Sequence, residues 1–96
     1  MMKLKDLLVE KVELDPKIIK KIAKLTDYNN HNEARLELAK AMKLKKLVKS
    51  YEALIVLHMQ FYDMNDLMSA RNRLDKMLMT GAERKYSNYK DIYYAF

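Results

Sequence analysis

Ala53-Leu54-Ile55-Val56-Leu57-His58-Met59-Gln60-Phe61-Tyr62 is the stretch that decides how this chain is built. Only His58 and Gln60 in it are polar. Wound into a helix, it is apolar on every side, and such a helix has to be covered on every side. In a chain of 96 residues few other helices are available as cover, and a chain that short buries only about two-thirds of its surface. The expectation is that a second copy, or a different partner, shelters part of the segment. Leu54, Ile55, His58, Phe61 and Tyr62 are thus candidate interface residues. Two readings compete with this one. The chain's own helices suffice as cover, or Leu54–Leu57 forms a buried strand, since Ile and Val favour β structure.

Working outward, one Gly and one Pro leave few places for tight turns, which argues against all-β folds. The spacing of apolar residues is helical instead. Leu4, Leu7, Leu8 and Val12 predict a first helix over about 3–13. Asp15-Pro16 then restarts the chain, Asp as cap and Pro at the first helical position, where its missing N–H costs nothing. The second helix spans about 16–26, with Ile18, Ile19, Ile22 and Leu25 on one face and Lys17, Lys20, Lys21 and Lys24 on the other.

Asp27–Asn32 reads as a loop, and Asn30 with Glu33 resembles a capping box. A stripe of Leu38, Ala41, Leu44, Val48, Tyr51, Ile55, His58 and Tyr62 follows. It predicts helix over about 32–62, with no Gly or Pro to say whether that is one helix or two. Asp63 and Asp66 look like caps for a helix over about 66–80, with a seam of Leu67, Ala70, Leu74 and Met77 and with Leu78 beside it. Gly81 is its natural stop, or is absorbed if the helix continues to Tyr86. Tyr89, Ile92, Tyr93 and Phe96 make an aromatic stripe on a short helix over about 88–96. The expected fold is a single all-α domain over 1–96: a helical hairpin or small bundle of four to five helices, assembled into a homo-oligomer.

The formal net charge is +6, from 19 Lys+Arg against 13 Asp+Glu. Residues 1–50 hold 13 basic and 7 acidic residues, and 51–96 hold 6 of each, so the excess lies in the first half. Such asymmetry suits an anionic partner. Lys17, Lys20, Lys21 and Lys24, continued by Lys43 and Lys46, are the candidate anion or nucleic-acid contacts. The competing reading is a solvated face whose Lys stems cover apolar neighbours. Sequence-specific DNA reading is disfavoured, because the loop after the second helix is too long for a helix-turn-helix. Arg35 and Asn32 are the side chains nearest to a base-reading type.

Tyr86, Tyr89, Tyr93, Tyr94 and Phe96 crowd into the last eleven residues. Tyr and Phe anchor interfaces because they bury much area with few rotors. A periodic stripe is more often core, which leaves Tyr94, off the stripe, as the better exposed contact. Catalytic chemistry finds little support. The absence of Cys excludes thiolate catalysis and Cys-based zinc sites. His31 and His58 are too few for a metal site. Ser50, Ser69 and Ser87 lack a nucleophile elbow, and a phosphate loop needs more than one Gly. The expectation is no enzyme, no metal and no cofactor.

With no secretory signal or apolar run long enough to span a bilayer, the expected compartment is the cytoplasm. The expected function is stoichiometric: a small interaction protein that occupies a partner's surface and regulates or inhibits it. Richness in Lys, Asn, Tyr and Met suits an AT-rich genome and an accessory protein of a phage or mobile element. The alternative is a basic helical protein that binds nucleic acid or a nucleotide-type anion.

Overall fold

Asp15 and Pro16 do what their chemistry demands. The Asp15 carboxylate accepts the Lys17 N–H at 2.9 Å, and Pro16 opens the first helix, α1 (Pro16–Asp27). The computed structural model describes residues 11–61 and 64–96. Within α1, Ile22 is buried and Ile18, Ile19 and Leu25 are half-buried, while the four lysines face out. The helix ends where the Asn30 N–H reaches the Leu25 carbonyl at 2.8 Å and the Asn29 N–H reaches that of Thr26 at 3.0 Å. That paired pattern requires a left-handed residue just past the helix. Asn29 supplies it, with φ 62°.

The next helix is α2 (His31–Ala41), which buries Ala34, Leu38 and Ala39. Asn30 precedes it, but its side chain makes no capping bond, so the Asn30/Glu33 capping box is not formed. The helical pattern over 32–62 resolves into two helices, α2 and α3 (Lys45–Phe61). The break repeats the geometry at Asn29. The Leu44 N–H bonds to the Ala39 carbonyl at 3.1 Å, the Lys43 N–H bonds to that of Lys40 at 3.0 Å, and Lys43 takes φ 59°. A Cβ-bearing residue without a short polar side chain is an unfavourable choice there. The turn persists because Met42 and Leu47 on either side of it are buried in the core. Leu54–Leu57 lies within α3, which sets aside the strand reading.

α4 (Met64–Lys85) is longer than the pattern over 66–80 predicts, and Gly81 lies in its interior rather than at its end, as in the alternative reading that continues to about Tyr86. Absence of a side chain at Gly81 has a packing reason. A Cβ there would lie 2.9 Å from the Met42 side-chain methyl. The buried line of α4 also shifts by one position. Leu78 and Ala82 are enclosed, whereas Met77 is exposed. Asp63 and the Asp66 side chain lie outside the described residues.

Of the first predicted helix, residues 3–10 lie outside the described residues, and its remainder, like the residues up to Leu14, is not helical. Val12 instead pairs in parallel with Tyr86. Its N–H donates to the Lys85 carbonyl at 3.0 Å, and its carbonyl accepts the Ser87 N–H at 2.9 Å. The Asn88 side chain completes the clamp, accepting the Leu14 N–H at 2.9 Å and donating to the Leu14 carbonyl at 3.0 Å. The last helix, α5 (Tyr89–Ala95), packs back on α1. It buries Ile92 and Ala95, and the Thr26 hydroxyl donates to the Ala95 carbonyl at 2.8 Å.

The core runs through Ile22, Leu38, Tyr51, Leu78 and Ile92, all fully enclosed. The molecule is elongated, 50 × 26 × 18 Å. No helix among the described residues is long and apolar enough to cross a membrane.

Candidate functional site

Among the described residues, the apolar segment of α3 is covered on one side only. Leu54 is buried and Ile55 and His58 are half-buried, but Val56 is 47%, Leu57 37% and Met59 63% exposed. At 100° per residue, Val56 and Met59 share a flank, and Leu57 points away from it. The exposed apolar surface therefore wraps more than one side of the helix. Met68 and Met77 add exposed apolar surface on α4. Tyr62 and the Phe61 side chain fall outside the described residues.

The aromatic tail divides. Ile92 is enclosed, Tyr89 and Phe96 are half-buried, and Tyr93 meets Tyr89 edge-on with ring centroids 5.6 Å apart. Tyr94 stands 86% exposed. The stripe thus serves α5 docking along one edge and leaves Tyr94 facing solvent.

The lysines fall into two groups. Lys17, Lys20, Lys21 and Lys24 line the outer face of α1, and Lys21 is held 3.3 Å from the Glu37 carboxylate of α2. Lys43 and Lys46 belong to the α2–α3 corner, where Lys40, Lys45 and Lys49 are exposed too. Lys40, Lys43, Lys45 and Lys49 rim a recess of about 420 Å³ floored by Val48, with Glu52 at its edge. None of these corner lysines forms an ion pair among the described residues. A groove of about 490 Å³ links the two groups through Lys21 and Lys40, but Glu33, Glu37 and Glu52 also line it.

A polar cluster that periodicity does not reveal joins α2, α3 and α4. The Tyr51 hydroxyl donates to Asp75 Oδ1 at 2.7 Å, and Arg35 Nε lies 2.9 Å from the same oxygen. Arg71, one turn before Asp75, brings its Nε to 3.9 Å from Oδ2. That Nε is buried and has no hydrogen-bond partner among the described residues. Burial pushes the Tyr51 hydroxyl far above the ordinary tyrosine value, and the bond to the Asp75 carboxylate adds to the shift. The sequence carries one hint of this cluster, Arg71 and Asp75 at i, i+4 on one helix face. Nothing in it joins them to Tyr51 or Arg35.

The cluster sits beside a cleft of about 620 Å³. Arg35, Arg71 and His58 line it together with Ile55, Met59 and Phe96. The α1–α2 loop and the first turn of α2, including His31 and Glu33, form its other wall. No group of His, Asp and Glu among the described residues is arranged to hold a metal ion. Compared with known proteins, the chain matches no family model, no curated protein and no solved structure.

Proposed function

We propose that this chain is a non-enzymatic interaction protein that grips another protein through the exposed apolar surface of α3 and regulates or inhibits it stoichiometrically. The observation that carries this reading is the exposure of Val56, Leu57 and Met59 in a helix segment where, among the described residues, only Leu54 is fully covered. Their exposed fractions amount to roughly one and a half side chains, so covering them stabilises a contact by about 2–4 kcal/mol per copy. A two-fold contact doubles that, to about 4–8 kcal/mol, and association costs about 4–15 kcal/mol. Self-association through this patch alone is therefore weak and concentration-dependent. A partner that wraps both flanks of α3, and takes in Tyr94 or the α4 methionines, has the larger surface that stable binding needs.

The test compares wild type with Leu57→Glu and Lys43→Glu as baits in nuclease-treated lysate, with light scattering on each pure protein. A partner retained by wild type and Lys43→Glu but lost with Leu57→Glu supports the reading. A wild type that is monomeric at every concentration and captures nothing after nuclease treatment overturns it.

The second reading is phosphate-backbone binding at the α2–α3 corner, favoured by five exposed lysines from Lys40 to Lys49 with no acidic residue among them. Binding of that kind weakens linearly in log salt, and Lys43→Glu with Lys46→Glu should abolish it. Salt-insensitive partner binding excludes it.

A further inference from the structure

The cleft beside Asp75 carries more positive charge on its floor than the fold neutralises. Arg35 and Arg71 both approach one carboxylate, and that carboxylate already accepts from the Tyr51 hydroxyl. Arg35 makes a close pair at 2.9 Å, while Arg71 is left at 3.9 Å. Both guanidiniums are mostly withdrawn from water, with 15% and 24% of their side chains exposed. Charge held that far from solvent is costly unless it is paired and hydrogen-bonded. Arg35 also donates to the Asn32 side chain at 3.2 Å, so its fork is partly occupied within the protein. Arg71 has its Nε unpartnered among the described residues and lines the open cleft.

From this geometry we infer that the cleft binds a small ligand through a single oxyanion group, a carboxylate or a phosphate monoester, received by Arg71 with Arg35 behind it. Guanidinium groups bind such oxyanions with paired N–H donors, which fixes the orientation of the ligand. His58 stands on the same wall and has a ring N–H to donate in either neutral tautomer. Ile55, Met59 and Phe96 give the apolar side against which the body of the ligand lies. Glu33 also lines the cleft, and its carboxylate repels a second anionic group. The ligand class is thus a compact molecule with one oxyanion group and a flat or apolar body, not a polyphosphate. The site shares Met59 with the exposed surface of α3, but it is built on Arg71 and Arg35, which that surface does not include.

The test titrates the full chain with benzoate and, in parallel, phenyl phosphate at constant ionic strength. Amide and arginine side-chain signals are followed by NMR. Saturable shifts centred on the Arg71 Nε–H and on the backbone of the first turn of α2 are expected, and the tighter probe identifies which oxyanion the cleft takes. Arg71→Gln should weaken binding at least fivefold, and Arg71→Lys, which keeps the charge but loses the fork, by less. Thermal unfolding reports whether each variant is folded, and the shift map of the wild type stands without them. Three results overturn the inference: no saturable shift with either probe, shifts centred on Lys40–Lys49 instead, or equal affinity in folded Arg71→Gln.

Discussion

Removing one oxygen atom, in Tyr51→Phe, tests the network that joins α3 to α4. The hydroxyl lies 2.7 Å from Asp75 Oδ1, in a side chain that is fully enclosed. A hydrogen bond to a charged group contributes about 1.5–3 kcal/mol. Asp75 keeps its Arg35 partner at 2.9 Å, so the acceptor is not abandoned and the lower end applies. The variant should lose about 1.5 kcal/mol near pH 8. The pH dependence of that loss is the sharper measurement. Burial and Asp75 hold the Tyr51 hydroxyl protonated well beyond the ordinary tyrosine range.

In the unfolded chain Tyr51 ionises near pH 10, whereas in the folded chain it keeps its proton. The folded-state value is raised, so this contribution is complete below pH ~10 and is lost as pH rises above it. Wild type should shed about 1.4 kcal/mol per pH unit from this group, a cost that Phe escapes. The two stabilities should converge near pH 11 and then cross. Urea unfolding at a series of pH values from 8 to 11.5 reads both curves. Lysines and the other tyrosines titrate alike in the two proteins and cancel in the difference. A gap of the same size at pH 8 and pH 11 would show that the hydroxyl is neither buried nor bonded as described.

Three further substitutions probe the turns and the close contacts. Lys43→Gly places the residue suited to φ 59° at the α2–α3 corner and should raise stability by about 0.5–1 kcal/mol in urea unfolding. Gly81→Ala should change stability little, because the helix-forming gain of about 1 kcal/mol is offset by displacing the Met42 methyl, 2.9 Å from the new Cβ. In a Met42→Ala background the same substitution should recover the full gain, so a double-mutant cycle reads the coupling directly. Asn88→Ala removes both bonds to the Leu14 backbone and should cost about 1–2 kcal/mol. Hydrogen exchange should then show the Val12 and Leu14 amides losing protection before those of α1.

The parts of the fold legible from sequence are those set by neighbouring residues. Asp15 and Pro16 start α1, the alternation of Ile and Lys orients it, and the polar run from Asp27 marks where it ends. Each acts within a few bonds of itself, so no knowledge of the rest of the chain is needed. The incomplete cover of residues 53–59 was equally legible, because a helix apolar all round exceeds what so short a chain can enclose.

Tertiary packing decided the rest. Lys43 has no local preference for the left-handed turn it adopts, and it is held there by the buried side chains on both sides of it. Leu78 rather than Met77 faces inward because α4 is rotated to pack against α2 and α3, a rotation that periodicity leaves open by one position. Residues 11–14 are extended because their backbone finds partners at Val12–Tyr86 and Leu14–Asn88, more than seventy positions away. The Tyr51, Arg35, Arg71 and Asp75 cluster comes from three helices. Its charge imbalance, and the cleft beside it, exist only once those helices have closed together.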